Sequence, residues 1–223
     1  MTAPNDPSNS PLDVPRAIRQ RRSVKSFRDE PISSELLREL LELTVAAPSS
    51  WNLQDWRIVV IQDEERRERL MSACYGQKLI GQAPLNFVFA AHPKAWRRDL
   101  EPILQQGQEQ GAWPAPVVDY FRKAIPEFQD ELGHRDREYA VKDAMIAATH
   151  LVLAAESLGL ASCFMNGWDE DQVKGAIGAE EDPDLAIAVV IPVGWPAAHR
   201  PDPGRLALDA NVYQDDVSRP YSS

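Results

Sequence analysis

Cysteine is scarce: the 223 residues contain two, Cys74 and Cys163. They lie far apart and form neither a C-x-x-C pair nor a staple framework, so a disulfide scaffold is excluded and both read as buried free thiols. The four histidines, His92, His134, His150 and His199, are scattered without metal-ligand spacing, which argues against a metal site. No apolar run approaches the roughly 20 residues that a bilayer-spanning helix needs. The opening MTAPNDPSNSPLD also lacks the basic start and apolar centre of a secretory signal, so a cytoplasmic protein is expected. Absent too are G-x-G-x-x-G, G-x-x-x-x-G-K-[ST] and G-x-S-x-G, and with them a dinucleotide-binding fingerprint, a phosphate-binding P-loop and a hydrolase nucleophile elbow. Basic residues are outnumbered, 24 against 34 acidic, and the formal charge of -10 repels phosphate backbones and anionic lipid. Nucleic acid and membranes are therefore excluded as partners.

What is present is a globular composition, 43% hydrophobic and 26% charged, in a chain long enough for one sizeable core. Residues 1–12 are rich in Pro, Asn and Ser and read as a loose arm, since they bury too little apolar area to offset the entropy of ordering. A single domain is expected over residues 13–223. A short helix is expected from Asp13 to about Arg22, and a second from the spacing of Leu36, Leu37, Leu40, Leu41 and Val45, capped by Ser33 or Ser34 and ending before Pro48. Arg57–Ile61 and Leu85–Ala91 read as buried strands, separated by a charged helix opened by Asp63. Residues 92–133, with Trp96, Trp113 and several prolines, read as an irregular insertion with short helices. The central helix runs from Arg137 to Leu158 and stops at Gly159. A strand over Ala161–Met165 follows, then a helix whose capping box is Asp169 and Gln172, then a last strand over Leu185–Gly194. The tail after Trp195-Pro196, about residues 196–223, is too poor in apolar residues for a core of its own and is expected to lie across something. The pattern predicts an α+β or α/β class with one sheet.

Three segments hold residue types suited to a ligand. Arg21-Arg22-Ser23-Val24-Lys25 concentrates cations and a hydroxyl in an acidic protein, which suits a phosphate, although a solvated basic helix end has the same composition. Pro48-Ser49-Ser50-Trp51-Asn52-Leu53-Gln54 offers hydroxyls and amides just before a strand, either for the polar edge of a heterocycle or to cap their own backbone. Asn166-Gly167 lies just past a strand, where glycine lets backbone N–H groups approach a ligand or simply makes the turn into the next helix.

In this order the segments resemble the FMN-dependent nitroreductase family. The family's Arg-x-Ser-x-Arg/Lys opening is matched at Arg21–Lys25, and its Pro-Ser-Ser-x-x-Asn-x-Gln-Pro-Trp-like stretch at Pro48–Trp56, with Asn52 one place earlier than in some members. Gln77-Lys78 followed by Ala83-Pro84 is similar to a "Q…AP" element, Gly159–Cys163 to a "GLGTCW" element, and Trp195-Pro196 stands at a Gly-Tyr-Pro position. The likeness spans about residues 16–208 and leaves 92–133 unmatched.

The resemblance implies an α+β, three-layer fold with a central mixed or antiparallel sheet flanked by helices, in an intertwined homodimer with FMN at each of two interfaces. The tail would wrap the partner subunit. It implies FMN contacts for Arg21, Arg22, Ser23, Lys25, Pro48, Ser49, Ser50, Asn52, Gln77, Asn166, Gly167 and Arg205. Arg21, Ser23 and Arg205 would hold the phosphate, Lys25 would lie near the pyrimidine end, and Gln77 would pair with the ring's polar edge. The backbone of Asn166 and Gly167 would face N5 and O4, and Ser49, Ser50 and Asn52 would reach the FMN of the other subunit. No side chain would act as nucleophile: hydride would pass from NAD(P)H through flavin N5 to a nitroaromatic, quinone or similar electron-poor acceptor in a ping-pong cycle. Alternatives are a non-catalytic FMN storage or sensing protein, or a dehalogenating or flavin-fragmenting variant, with the insertion as a lid. Two residues depart from the pattern. Asn166 stands where some members carry Glu, and Asp55 replaces the usual proline, bringing a charge that disfavours anionic acceptors, points to water or pairs with Arg57.

Overall fold

The two faces of one strand organise the molecule, for which a computed structural model describes residues 11–221. In strand β2 (Leu85–Ala91) every residue is buried, as a strand covered on both faces requires. Leu85, Phe87, Phe89 and Ala91 join the cluster under helices α2 (Ser34–Val45) and α7 (Asp136–Ser157). Val88 and Ala90 alternate to the opposite face, which is covered by α3 (Glu64–Ala73), α4 (Lys78–Gln82) and α8 (Glu170–Ile177). The result is three layers, helices on either side of one sheet. The remaining strands are β1 (Trp56–Ile61), β3 (Ala161–Ser162) and β4 (Ala186–Gly194). The sheet order is β1-β2-β4-β3, and every pairing is antiparallel.

Local signals explain most boundaries. Asp13, Ser33, Asp63 and Asp169 each accept a backbone N–H from three residues on, capping α1 (Val14–Gln20), α2, α3 and α8. Asp169 makes only half of the expected capping box, because its own N–H is donated to the Ala73 carbonyl, 2.9 Å away. Helix α7 packs closely on the sheet through a row of alanines, Ala140, Ala144, Ala147, Ala148 and Ala155, whose small side chains bring its axis near the strands. The expected strand to Met165 is regular only over Ala161–Ser162, although the Met165 N–H still reaches the Val190 carbonyl at 3.0 Å. Among the described residues no helix is long and apolar enough to cross a membrane.

The segment 92–133 corrects the sequence reading. It forms two long helices, α5 (Trp96–Glu109) and α6 (Ala115–Leu132), with Pro102 and Pro126 inside them. Trp96, Leu100, Ile103 and Leu104 of α5 meet Val118 and Ile125 of α6 in a third cluster, separate from the two on the sheet. That cluster also takes in Leu53 and Trp51 from the segment before β1. Of the expected N-terminal arm, residues 1–10 lie outside the described residues, while Leu12 is tied by its N–H and carbonyl to Ser157 at the end of α7. The tail from Pro196 to Tyr221 is exposed along its length, carries the short helix α9 (Leu208–Asn211), and leaves Leu206 and Val217 71% and 83% accessible.

Candidate cofactor site

The basic segment leaves α1 as an extended strand-like run. Ser23 pairs in parallel with Ser162, and the Val24 N–H is donated to the Ser162 carbonyl at 3.1 Å. Extended chain alternates its side chains, so Val24 enters the core while Ser23 and Lys25 face outward, and Phe27 returns to the core beyond the half-buried Ser26. Arg21, Ser23 and Lys25 gather around Cys163. Burial pushes that thiol up, while the Lys25 charge, a Ser23 hydrogen bond and the Arg21 charge pull it down.

Arg22 falls on the other side of the run. It donates to the carbonyls of Arg19 (2.7 Å) and Arg21 (2.8 Å) and pairs with Asp202 of the tail at 2.7 Å. Its buried Nε has no partner among the described residues. Asp202 also lies 3.9 Å from Arg205, whose guanidinium is exposed, so one carboxylate links Arg205 to the basic segment. Arg22 and Val24 line a cavity of about 920 Å³ between the end of α7 and the root of the tail, away from Lys25.

The chain from Ser162 leads directly to Asn166 and Gly167, where Gln77 arrives from the turn before α4. The Gln77 amide donates to the Gly167 carbonyl at 2.9 Å. A side chain at position 167 would put its Cβ 3.0 Å from that amide nitrogen, so glycine is what lets Gln77 lie against the backbone here. Tyr75 and Gly76, both with positive φ, make the tight turn that delivers Gln77. Arg21, Ser23, Lys25, Gln77, Asn166 and Gly167 thus share one edge of the molecule. The fit to FMN is chemical: cations and a hydroxyl suit a phosphate, and an amide beside exposed backbone at a glycine suits the edge of a flavin ring.

The Pro48–Gln54 segment is elsewhere in the chain, against α7 and the α5–α6 pair. Ser49 Oγ accepts the Gln54 N–H at 2.9 Å, and Ser50 gives its N–H (2.9 Å) and hydroxyl (3.3 Å) to Asp143. Trp51, Asn52 and Gln54 all have positive φ, an expensive conformation for non-glycine residues that persists only where surroundings impose it. Pro48 and Asn52 are exposed.

Asp55 corrects its expectation. The Arg57 guanidinium pairs with Asp99 instead, and Asp55 is 4% accessible, with no partner for Oδ1 among the described residues. Burial, then the nearby Asp143 charge, pushes its carboxyl from 3.8 up to about 7, despite Arg57. It is not an exposed charge at the ligand edge.

Asp143 was not singled out from the sequence, yet it organises this loop. The available signal was a carboxylate in the alanine row of α7, on a face where a charge needs a partner. Trp51 pins the same loop against α6. It meets Phe121 edge-on at 5.3 Å and Phe128 at 6.0 Å, both from α6.

The three-layer α+β architecture with one antiparallel sheet is that of nitroreductase-type oxidoreductases. A nitroreductase-like chain from Exiguobacterium sibiricum, solved in complex with FMN, superposes with a TM-score of 0.83 at 24% identity, covering 90% of this chain and 96% of that one. The chain belongs to the nitroreductase family, whose model matches residues 18–195. It is 32% identical over 202 residues to a Thermus thermophilus protein named NADH dehydrogenase, covering 90% of this chain and 95% of that one. It is 30% identical over 204 residues to protein DrgA of Synechocystis, with 88% and 93% covered.

Proposed function

We propose that the chain is an FMN-dependent NAD(P)H oxidoreductase of the cytoplasm, acting on nitroaromatic, quinone or similar electron-poor acceptors as a homodimer with one FMN site at each of two subunit interfaces. The observation that supports this reading is the pairing of Ser23 with Ser162 together with the Gln77–Gly167 bond at the far end of the same 162–167 segment. The separation of Ser49, Ser50 and Asn52 from that edge supports their reaching a site in a second copy. The exposed tail supports a partner surface, since its Leu206, Leu208 and Val217 lie in water and gain by being covered.

Arg21 and Ser23 hold the phosphate by charge-assisted hydrogen bonds, while Arg205 sits beside Asp202 on the Arg22 side of the segment. Arg22 holds the root of the tail through Asp202. Lys25 supplies positive charge at the pyrimidine end, where negative charge accumulates on reduction. Gln77, its amide already given to Gly167, offers its carbonyl oxygen as an acceptor to the ring's polar edge. The backbone N–H groups around Asn166 and Gly167 donate beside the reacting atom, so Asn166 serves where some relatives have Glu. Bound there, FMN supplies two-electron chemistry, taking a hydride from NAD(P)H and passing it to the acceptor. Reductant and acceptor would use the same open side of that site in turn.

Steady-state kinetics on FMN-loaded protein test the reading. Varying NAD(P)H at several fixed quinone concentrations gives parallel double-reciprocal lines if one product leaves before the second substrate enters. Intersecting lines refute the shared face. Bound FMN that no nicotinamide reduces favours a storage or sensing role instead.

A further inference from the structure

The loop before β1 is held by contacts that spare the side chains facing solvent. Ser49 is engaged by Gln54, Ser50 by Asp143, and Trp51 by Phe121 and Phe128. Leu53 is 1% accessible, packed among the apolar residues of α5 and α6. Asn52 is left projecting from the middle of the loop, in the left-handed region with φ 57°. A short stretch with three such residues relaxes unless something outside it fixes the backbone. The contact with the best means to do so is Asp143, because it binds main chain as well as side chain and comes from the rigid central helix.

We propose that Asp143 is a positioning residue for the cofactor site of the neighbouring subunit: by taking the N–H and hydroxyl of Ser50 it sets the left-handed turn that presents Asn52 across the interface. The inference rests on the reading of Ser49, Ser50 and Asn52 as FMN contacts in a homodimer. Asp143 is 3% accessible, and the two donors of Ser50 are its partners in the fold. A buried carboxylate with so few donors is costly as a stabilising device, but it fixes the loop backbone in a way that an apolar residue at that position does not. Asp143 touches no ligand in this scheme and acts only through Ser50.

The test compares FMN binding by the full-length wild type, Asp143→Leu and Asp143→Asn. Leucine is bulkier than aspartate and removes both acceptors, leaving the Ser50 N–H and hydroxyl without their carboxylate, whereas asparagine has nearly the size of aspartate and keeps one acceptor. The leucine variant should keep the wild-type circular dichroism spectrum and lose FMN affinity by roughly tenfold or more, the scale of a lost hydrogen bond to a charged group. The asparagine variant, which keeps one acceptor oxygen, should recover part of it. Mixed dimers give the readout that a purely structural role does not move. Arg21→Ala damages the subunit that holds the phosphate, Asp143→Leu the subunit that lends Asn52. Equal mixing and exchange of the two variants should therefore restore wild-type affinity at about one site in four. Wild-type FMN affinity in Asp143→Leu, or no restored sites on mixing, overturns the inference while leaving FMN binding intact. A wild-type chain that takes up no FMN removes both readings.

Discussion

Asp55→Asn should stabilise the protein, and by an amount that depends on pH. Asp55 is 4% accessible, and burial with the neighbouring Asp143 charge raises its carboxyl from 3.8 to about 7, with Asp99 adding to the rise and Arg57 opposing it. The folded-state value lies above the unfolded one, so between those values the folded chain holds the proton more firmly. Stability from this group is fully present below about pH 4, falls as the pH rises towards 7, and is level above it. Each pH unit in that window costs about 1.4 kcal/mol, so the accumulated penalty approaches about 4 kcal/mol by pH 8. Asparagine has the same size and no charge. The variant should match the wild type near pH 4 to within about 1 kcal/mol and exceed it by up to about 4 kcal/mol at pH 8. Urea unfolding followed by tryptophan fluorescence, run on both proteins from about pH 4 to about 8.5, measures the difference as a shift in midpoint at constant slope. A difference that stays the same at every pH refutes the buried, proton-binding carboxyl.

Other expectations follow from particular contacts. Gly107→Ala drives a Cβ into the Trp113 ring, so it should lower stability by about 1 to 3 kcal/mol in thermal or urea unfolding. Cys74 is fully buried and its thiol is pushed up to about 12, so in the native protein at pH 8 it should resist a thiol reagent that labels it rapidly in urea. Arg21→Ala should weaken FMN retention by about 1.5 to 3 kcal/mol in equilibrium dialysis, through loss of a charge-assisted phosphate bond.

Much of the fold was readable because local chemistry and burial agreed. The Leu36–Val45 spacing, the caps at Ser33, Asp63 and Asp169, and the apolar runs Arg57–Ile61 and Leu85–Ala91 all carry signals that need no tertiary context. The α5–α6 pair is hard to see in the sequence because Pro102 and Pro126 signal breaks, although Trp96, Leu100, Ile103 and Leu104 keep helical spacing. Packing of that stripe against α6 outweighs the local cost of the prolines. The basic segment shows the limit for the site. Its composition alone groups Arg21, Arg22, Ser23 and Lys25, and only the pairing of Ser23 with Ser162 separates outward Lys25 from Arg22, which turns back to Asp202. Asp55 needed the third dimension altogether, since its character comes from burial and from Asp143, 88 residues away in sequence.

The central claim is that this chain carries FMN and passes hydride through it. Anaerobic titration of purified, FMN-loaded protein with NADH and, separately, NADPH tests it most directly. The account predicts that at least one of the two bleaches the flavin absorbance at about one equivalent per bound FMN, and that a quinone added afterwards restores the colour. Bound flavin that keeps its oxidised spectrum under excess of both nucleotides would contradict it.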